Sequence, residues 1–227
     1  MLIKISKNAV AGHNLQVLEM TNFSCQIITP LQFRVMKYIF LFAFAWLAVA
    51  GYAQQWTKQY DFVDDCTCGL SLVSKGEKHG FATKDGKLIV PLIYDDALHF
   101  TENMAAVKKE GKWGYLDTTG KEVVALQYDD ATSFSDGLAS VMKAGQYGFI
   151  DITGKTIIPF VYENAHGFTE GLAAVNKNGM WGFIDKNGKE VIACNYTYAA
   201  SFNEGMAKVM KGGKWLVIDK NGKKVEQ

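Results

Sequence analysis

The sequence predicts an all-β protein built as a tandem array of five 34-residue repeats, each of about three short antiparallel strands. Three observations carry that prediction. Gly86, Gly120, Gly154, Gly188 and Gly222 recur at a step of 34 with no insertion. Tyr94, Tyr128, Tyr162 and Tyr196 keep the same step, as do Ala97, Ala131, Ala165 and Ala199, and Phe100, Phe134, Phe168 and Phe202. A ring slot holds His79, Trp113, Tyr147, Trp181 and Trp215, with Gly80, Gly114, Gly148 and Gly182 directly after it. Self-similarity at a fixed period of this length marks stacked supersecondary units.

One central unit justifies the elements in order. Gly171–Lys177 is a short β-prone run with Ala173 and Val175 on one face at period two. Asn178-Gly179 is a hairpin turn signal, since both residues tolerate positive φ. Trp181–Asp185 is the return strand, with Trp181, Phe183 and Asp185 on one side and Gly182 and Ile184 on the other. Asp185-Lys186-Asn187-Gly188 fits a type I turn. Lys189–Asn195 forms a third strand, and Tyr196–Gly205 connects to the next unit. So small a unit cannot bury both of its faces alone, so neighbours must stack. The glycine after the ring allows close packing against the strand.

The array runs from about Tyr60 to Val225, in units near 60–93, 94–127, 128–161, 162–195 and 196–227. Its ends diverge as caps do, with His79 in the ring slot of the first unit and Leu216 in place of glycine in the last. The expected architecture is an open, solenoid-like or curved array. A closed propeller-like ring is the alternative, although such blades usually carry four strands and about 40 or more residues.

Ahead of the array, Arg34 and Lys37 precede an apolar run from Tyr38 to Ala50, and Gly51-Tyr52-Ala53 supplies small residues for cleavage. That is the pattern of a secretory signal peptide over 36–53. The run is shorter than the roughly 20 apolar residues of a membrane span. Membrane contact is therefore expected only if this segment stays uncleaved. Residues 1–35 read as a mis-assigned upstream extension, with Met36 the natural start. The mature domain is then 54–227, exported to the periplasm, the outer surface or the medium. No cysteine follows the cleavage site, so no lipoprotein anchor is indicated.

Net charge is +1 for the whole chain, and from Gln54 onward 20 basic residues face 22 acidic ones, giving −2. A polyanion binder carries a clustered basic excess. Nucleic acid is therefore excluded as an expected partner.

The runs Lys112-Trp113-Gly114-Tyr115-Leu116-Asp117 and Met180-Trp181-Gly182-Phe183-Ile184-Asp185 resemble the WG (or KWG) repeat of bacterial proteins. Ile157-Ile158-Pro159-Phe160-Val161-Tyr162 and Phe168-Thr169-Glu170-Gly171-Leu172-Ala173 are similar to the same consensus. The resemblance implies a β-rich module of interaction type, often on exported proteins. It supplies no catalytic residues.

Candidate sites are few. The ring slot of Trp113, Tyr147, Trp181 and Trp215 either forms core, as large rings do in small sheets, or stacks on sugar rings with avidity from repetition. The ladders Glu102, Asp136, Glu170, Glu204 and Asp117, Asp151, Asp185, Asp219 read as turn caps and solvated loops rather than a calcium strip, which needs several carboxylates in one loop. The lysine ladders beginning at Lys75 and Lys87 read as solubilising strand ends. Cys66 and Cys68 would close a small strained disulfide or pair with another chain, and Cys194 reads as a small apolar core residue. No metal site and no cofactor are expected. Isolated His79, His99 and His166, and the absence of a nucleophile or phosphate-loop motif, argue against an enzyme. Identical carboxylate slots also fail to supply the unequal acid and base that a glycan-active hydrolase needs. The expected function is a monomeric, non-enzymatic binding or scaffolding module of the bacterial envelope. Its partner would be an envelope protein or, alternatively, a glycan.

Overall fold

The computed structural model describes residues 56–226. The upstream extension and the signal segment lie outside the described residues. The chain divides into two units, 1–47 and 48–227, and every repeat lies in the second.

Five antiparallel sheets follow one another along the chain. The first contains β1 (Phe62–Val63), β2 (Leu70–Lys75), β3 (Lys78–Thr83) and β4 (Leu88–Tyr94). The second contains β5 (Asp96–Ala97), β6 (Met104–Lys109), β7 (Lys112–Asp117) and β8 (Glu122–Tyr128). The third contains β9 (Asp130–Ala131), β10 (Leu138–Lys143), β11 (Gln146–Asp151) and β12 (Thr156–Tyr162). The fourth contains β13 (Asn164–Ala165), β14 (Ala173–Lys177), β15 (Met180–Ile184) and β16 (Glu190–Tyr196). The last contains β17 (Tyr198–Ala199), β18 (Met206–Lys211) and β19 (Lys214–Asp219). Strands adjacent in sequence are adjacent in each sheet, so every sheet is a meander.

The all-β repeat architecture is as the sequence predicts, with one addition. Each unit gains a two-residue strand, such as Asn164–Ala165, inside the stretch read from sequence as a connection. The complete unit is therefore a four-stranded sheet, and strand number no longer argues against blade-like units. The addition was illegible because two extended residues carry no period of their own. They become a strand by pairing Asn164 with Asn176 and Ala165 with Val175.

The turns behave as their chemistry requires. Asn178 and Gly179 take φ of 54° and 74°, both positive, as a two-residue hairpin demands. The Gly188 N–H donates to the Asp185 carbonyl at 2.9 Å. Asp185 Oδ1 accepts from the N–H groups of Asn187 and Lys189, both at 2.9 Å, which closes the turn from inside.

Each sheet has a face of large side chains and a face of small ones, and the large face of one sheet packs on the small face of the next. Phe183, Ile192 and Leu172 of the fourth sheet meet Ala207, Val209 and Ile218 of the last. Tyr115 and Val124 of the second meet Ala139, Val141 and Ile150 of the third. Phe81, Phe149 and Phe183 are fully buried and stand against Phe100, Phe168 and Phe202 at 4.8 to 4.9 Å. Burying one such ring stabilises by about 1.5–3 kcal/mol, so each inter-sheet seam is a small core.

The first sheet has a substitute for a preceding neighbour. Gly120, Gly154, Gly188 and Gly222 sit against Val90, Val124, Ile158 and Ile192 of the sheet before. Gly86, the first of this series, sits instead against the Trp56 ring. Trp56 lies in a 3₁₀ turn, Trp56–Gln59, and its indole N–H donates to the Lys84 carbonyl at 3.1 Å. This turn caps the array.

Candidate functional site

The ring slot divides into two environments. Trp113 and Trp181 are 6% and 9% exposed, while Trp215 is 50% exposed. Tyr147 is half-buried, and its hydroxyl donates to Asp130. Desolvation, helped by that carboxylate, raises the Tyr147 hydroxyl above its ordinary range. In the complete sheets the slot pairs across strands with a tyrosine: His79 with Tyr94, Trp113 with Tyr128, Tyr147 with Tyr162, Trp181 with Tyr196. Trp113 and Trp181 thus pack as core, and Trp215 alone of the tryptophans in this slot offers a broad solvent-facing ring.

The glycine behind the ring has a steric cause. Between the pairs Trp181–Tyr196 and Phe183–Ile192, β15 contributes only Gly182 while β16 contributes Ala193, Cys194 and Asn195. The fourth strand bulges directly over that glycine. A Cβ built at Gly182 would lie 2.6 Å from the Cys194 nitrogen and 2.6 Å from the Ile192 oxygen. Gly80, Gly114 and Gly148 stand in the same grip.

Four successive stretches, 80–113, 113–147, 147–181 and 181–215, match the family described as WG containing repeat, together more than half of the sequence. The chain belongs to the WG repeat family. The crowded glycine explains the second letter of that name, and the ring paired to tyrosine explains the first. No curated protein matches the chain significantly.

Among solved structures, the WG repeats are similar in fold to a eukaryotic initiation factor, with TM-score 0.50, 9% identity, 72% of this chain and 53% of that one covered. Kluyveromyces lactis Hsv2 gives TM-score 0.48, 14% identity, and coverage of 70% and 59%. The extracellular domain of BT4673 from B. thetaiotaomicron gives 0.43, 12%, and coverage of 73% and 28%. This chain therefore spans less than two thirds of the length of each. The neighbours are β-propeller-like, and at such identities the likeness concerns fold alone.

The acidic ladders of the WG repeats are structural fastenings. Asp117, Asp151, Asp185 and Asp219 each accept from two backbone N–H groups of their own turn. The other ladder does more than the solvated loops expected from sequence. Glu102 accepts from the Gly137 N–H, Asp136 from Gly171 and Glu170 from Gly205, each 35 residues ahead. Each carboxylate thus ties its repeat to the next, and all three residues share the positive φ of their turn with Cys68 and Glu204 in the same slot. Sequence spacing shows such a ladder but not where its side chains go.

A third acidic series was not singled out from sequence. Asp95 pairs with Lys78 of the preceding sheet at 2.6 Å and accepts from the Glu110 N–H of its own sheet at 2.7 Å. Asp129 does the same with Lys112 and the Ala144 N–H. Lysine hydrogen bonds hold Asp95, Asp129 and Glu170 below their ordinary carboxylate range, and threonine hydroxyls do so for Asp117 and Asp151. A depressed folded value means stability present above the unfolded values, 3.8 for Asp and 4.5 for Glu. That stability is lost as pH falls through the lower folded values. The melting temperature should therefore fall as pH drops from about 5 toward 2, modestly per contact because each carboxylate is exposed to solvent. A flat melting profile by circular dichroism over that window would show these contacts to be inert.

Cys66 and Cys68 stand as free, exposed thiols. Thr67 between them bridges Leu70, and Cys68 is held at φ 51° in the slot of the tying carboxylates. Cys194 packs beside the third and fourth sheets, and burial pushes its thiol up to about 11. It is partly buried against their core rather than inside it, short of the core residue expected from sequence.

An exposed apolar ladder completes the surface, and it too was missed in the sequence. On the outermost strands β8, β12 and β16, Val123, Ile157 and Val191 are exposed at equivalent positions. Pro91, Ala125, Pro159 and Ala193 are exposed two residues further on. Proline and the bulge protect these edges from strand pairing, yet the side chains remain open. Alternation in these strands marks a half-buried strand but does not reveal that its apolar residues fall on both faces.

Proposed function

We propose that this chain is an exported, non-enzymatic binding or scaffolding module of a bacterial envelope. It engages a protein partner over several repeats through the outer-strand ladder. The observation that carries the reading is the in-register exposure of Val123, Ile157 and Val191. Single exposed apolar residues are ordinary, but here the exposure repeats at one position of three successive sheets. Repetition also gives avidity without any single strong contact. The carboxylate ladders support a non-catalytic role, since their oxygens already serve backbone donors.

The experiment is capture from envelope extract by the purified protein, with Val123→Asp, Ile157→Asp and Val191→Asp combined as the comparison. The substitutions lie on the surface, so each should change stability by no more than about 0.5 kcal/mol, while the enriched protein is lost. Undiminished capture by the folded triple variant would defeat the proposal. Glycan recognition is the second reading, favoured by the exposed pair Tyr198 and Trp215 with ring centroids 5.5 Å apart. Enriched carbohydrate lost on Trp215→Ala would support it. A hydrolase would instead show an activity abolished by Glu170→Gln.

A further inference from the structure

Among the described residues nothing covers the large-residue face of the last sheet. In the four preceding sheets that face meets the small face of a successor. Here Tyr198, Met206 and Trp215 are exposed, and Met210 and Val217 are half-exposed. The composition of the face has also changed. Lys208 stands where Ala106, Ser140 and Ala174 stand, and Lys224 where Glu122 and Glu190 stand. From Tyr198 onward there are six lysines against Glu204, Asp219 and Glu226, a net +3, whereas the whole stretch from Gln54 is −2.

Among the described residues the β19 edge is also open over the part that holds Trp215. β16 pairs along β15 as far as Tyr196 opposite Trp181. Beside β19, the equivalent position is filled only by the bridge Ile218–Lys224 and the Val225 N–H to the Val217 carbonyl at 2.8 Å. Among the described residues no strand lies opposite Trp215. Lys208 Nζ sits 4.6 Å from the Trp215 ring centroid, which places a positive charge on the open face itself.

A lysine at a core slot explains solubility of an end repeat. It does not explain why a half-exposed tryptophan, a methionine and an unpaired edge stay beside it. We infer that this face receives an extended acidic peptide of another protein, added to β19 as a further strand. An aromatic side chain of that peptide would lie opposite Trp215, in the place tyrosine takes in the complete sheets. Backbone pairing to the edge supplies affinity, and the alternate side chains supply selection. The lysines exclude a second copy of the same face, because like charges would meet.

The test titrates the purified full chain into a fluorescein-labelled heptapeptide that alternates glutamate with valine and one central tyrosine, followed by anisotropy. Saturable binding is expected, and none to the counterpart with lysine for glutamate. Lys208→Glu and Trp215→Ala should each weaken binding about tenfold, as loss of one hot-spot contact does. Both side chains are exposed, and circular dichroism checks that the variants stay folded. Methylating the alternate backbone nitrogens that would face β19 should abolish binding. Absence of saturation, binding that survives both substitutions, or displacement by an anionic oligosaccharide with indifference to N-methylation would each overturn the inference. The Val123, Ile157, Val191 triple variant should bind the peptide normally, which separates this face from the ladder.

Discussion

Gly182→Ala is expected to cost on the order of 3 kcal/mol or more, a large part of the stability of a typical domain. The cause is not conformational freedom, since Gly182 does not have positive φ. The added methyl would meet the backbone of β16, which bulges over this position, at 2.6 Å. Neither Ile192 nor Cys194 can withdraw without breaking the pairs Phe183–Ile192 and Trp181–Tyr196 on either side. Gly179→Ala is the matched control. Gly179 has φ 74° and nothing within 4 Å of a built Cβ, so only the left-handed backbone is penalised, by roughly 1–2 kcal/mol. Urea denaturation of the two variants checks the ordering. Equal midpoints would mean that β16 does not press on Gly182.

Trp113→Ala and Trp181→Ala should each destabilise by about 3–5 kcal/mol, the range for truncating a buried large ring. Combined, the two should leave the array largely unfolded, since each removes the anchor of a separate sheet. Trp215→Ala should change stability by about 1 kcal/mol or less, because half of that ring already faces water. The same measurement decides what the slot is for. A folded Trp113, Trp181 double variant that had lost carbohydrate binding would turn these rings from core into ligand surface. Loss of the cooperative transition, with Trp215→Ala intact, would place them in the seams where Trp113 packs among Tyr115, Val124 and Tyr128.

Local chemistry explains what could be read early. Asn178-Gly179, the Asp-led turns and the period-two runs are recorded within a few residues, so strands β14 to β16 fall within a residue or two of expectation. The tying role of Glu102, Asp136 and Glu170 was hidden because their acceptors' partners lie 35 residues ahead. A spacing one residue longer than the repeat points to the neighbour only once the stacking is known.

The sequence by itself determined the period, the number of repeats, the turns and the two-faced character of each strand. Those properties follow from short-range sterics and from alternation, which each repeat carries in full. Only the tertiary structure decided which ring of the slot is buried, which carboxylate joins repeats, and which faces stay open. Identical side chains at Trp181 and Trp215 meet different fates because one has a following sheet to cover it and the other, among the described residues, does not. Burial is a property of the neighbour, and the neighbour is not written in the residue.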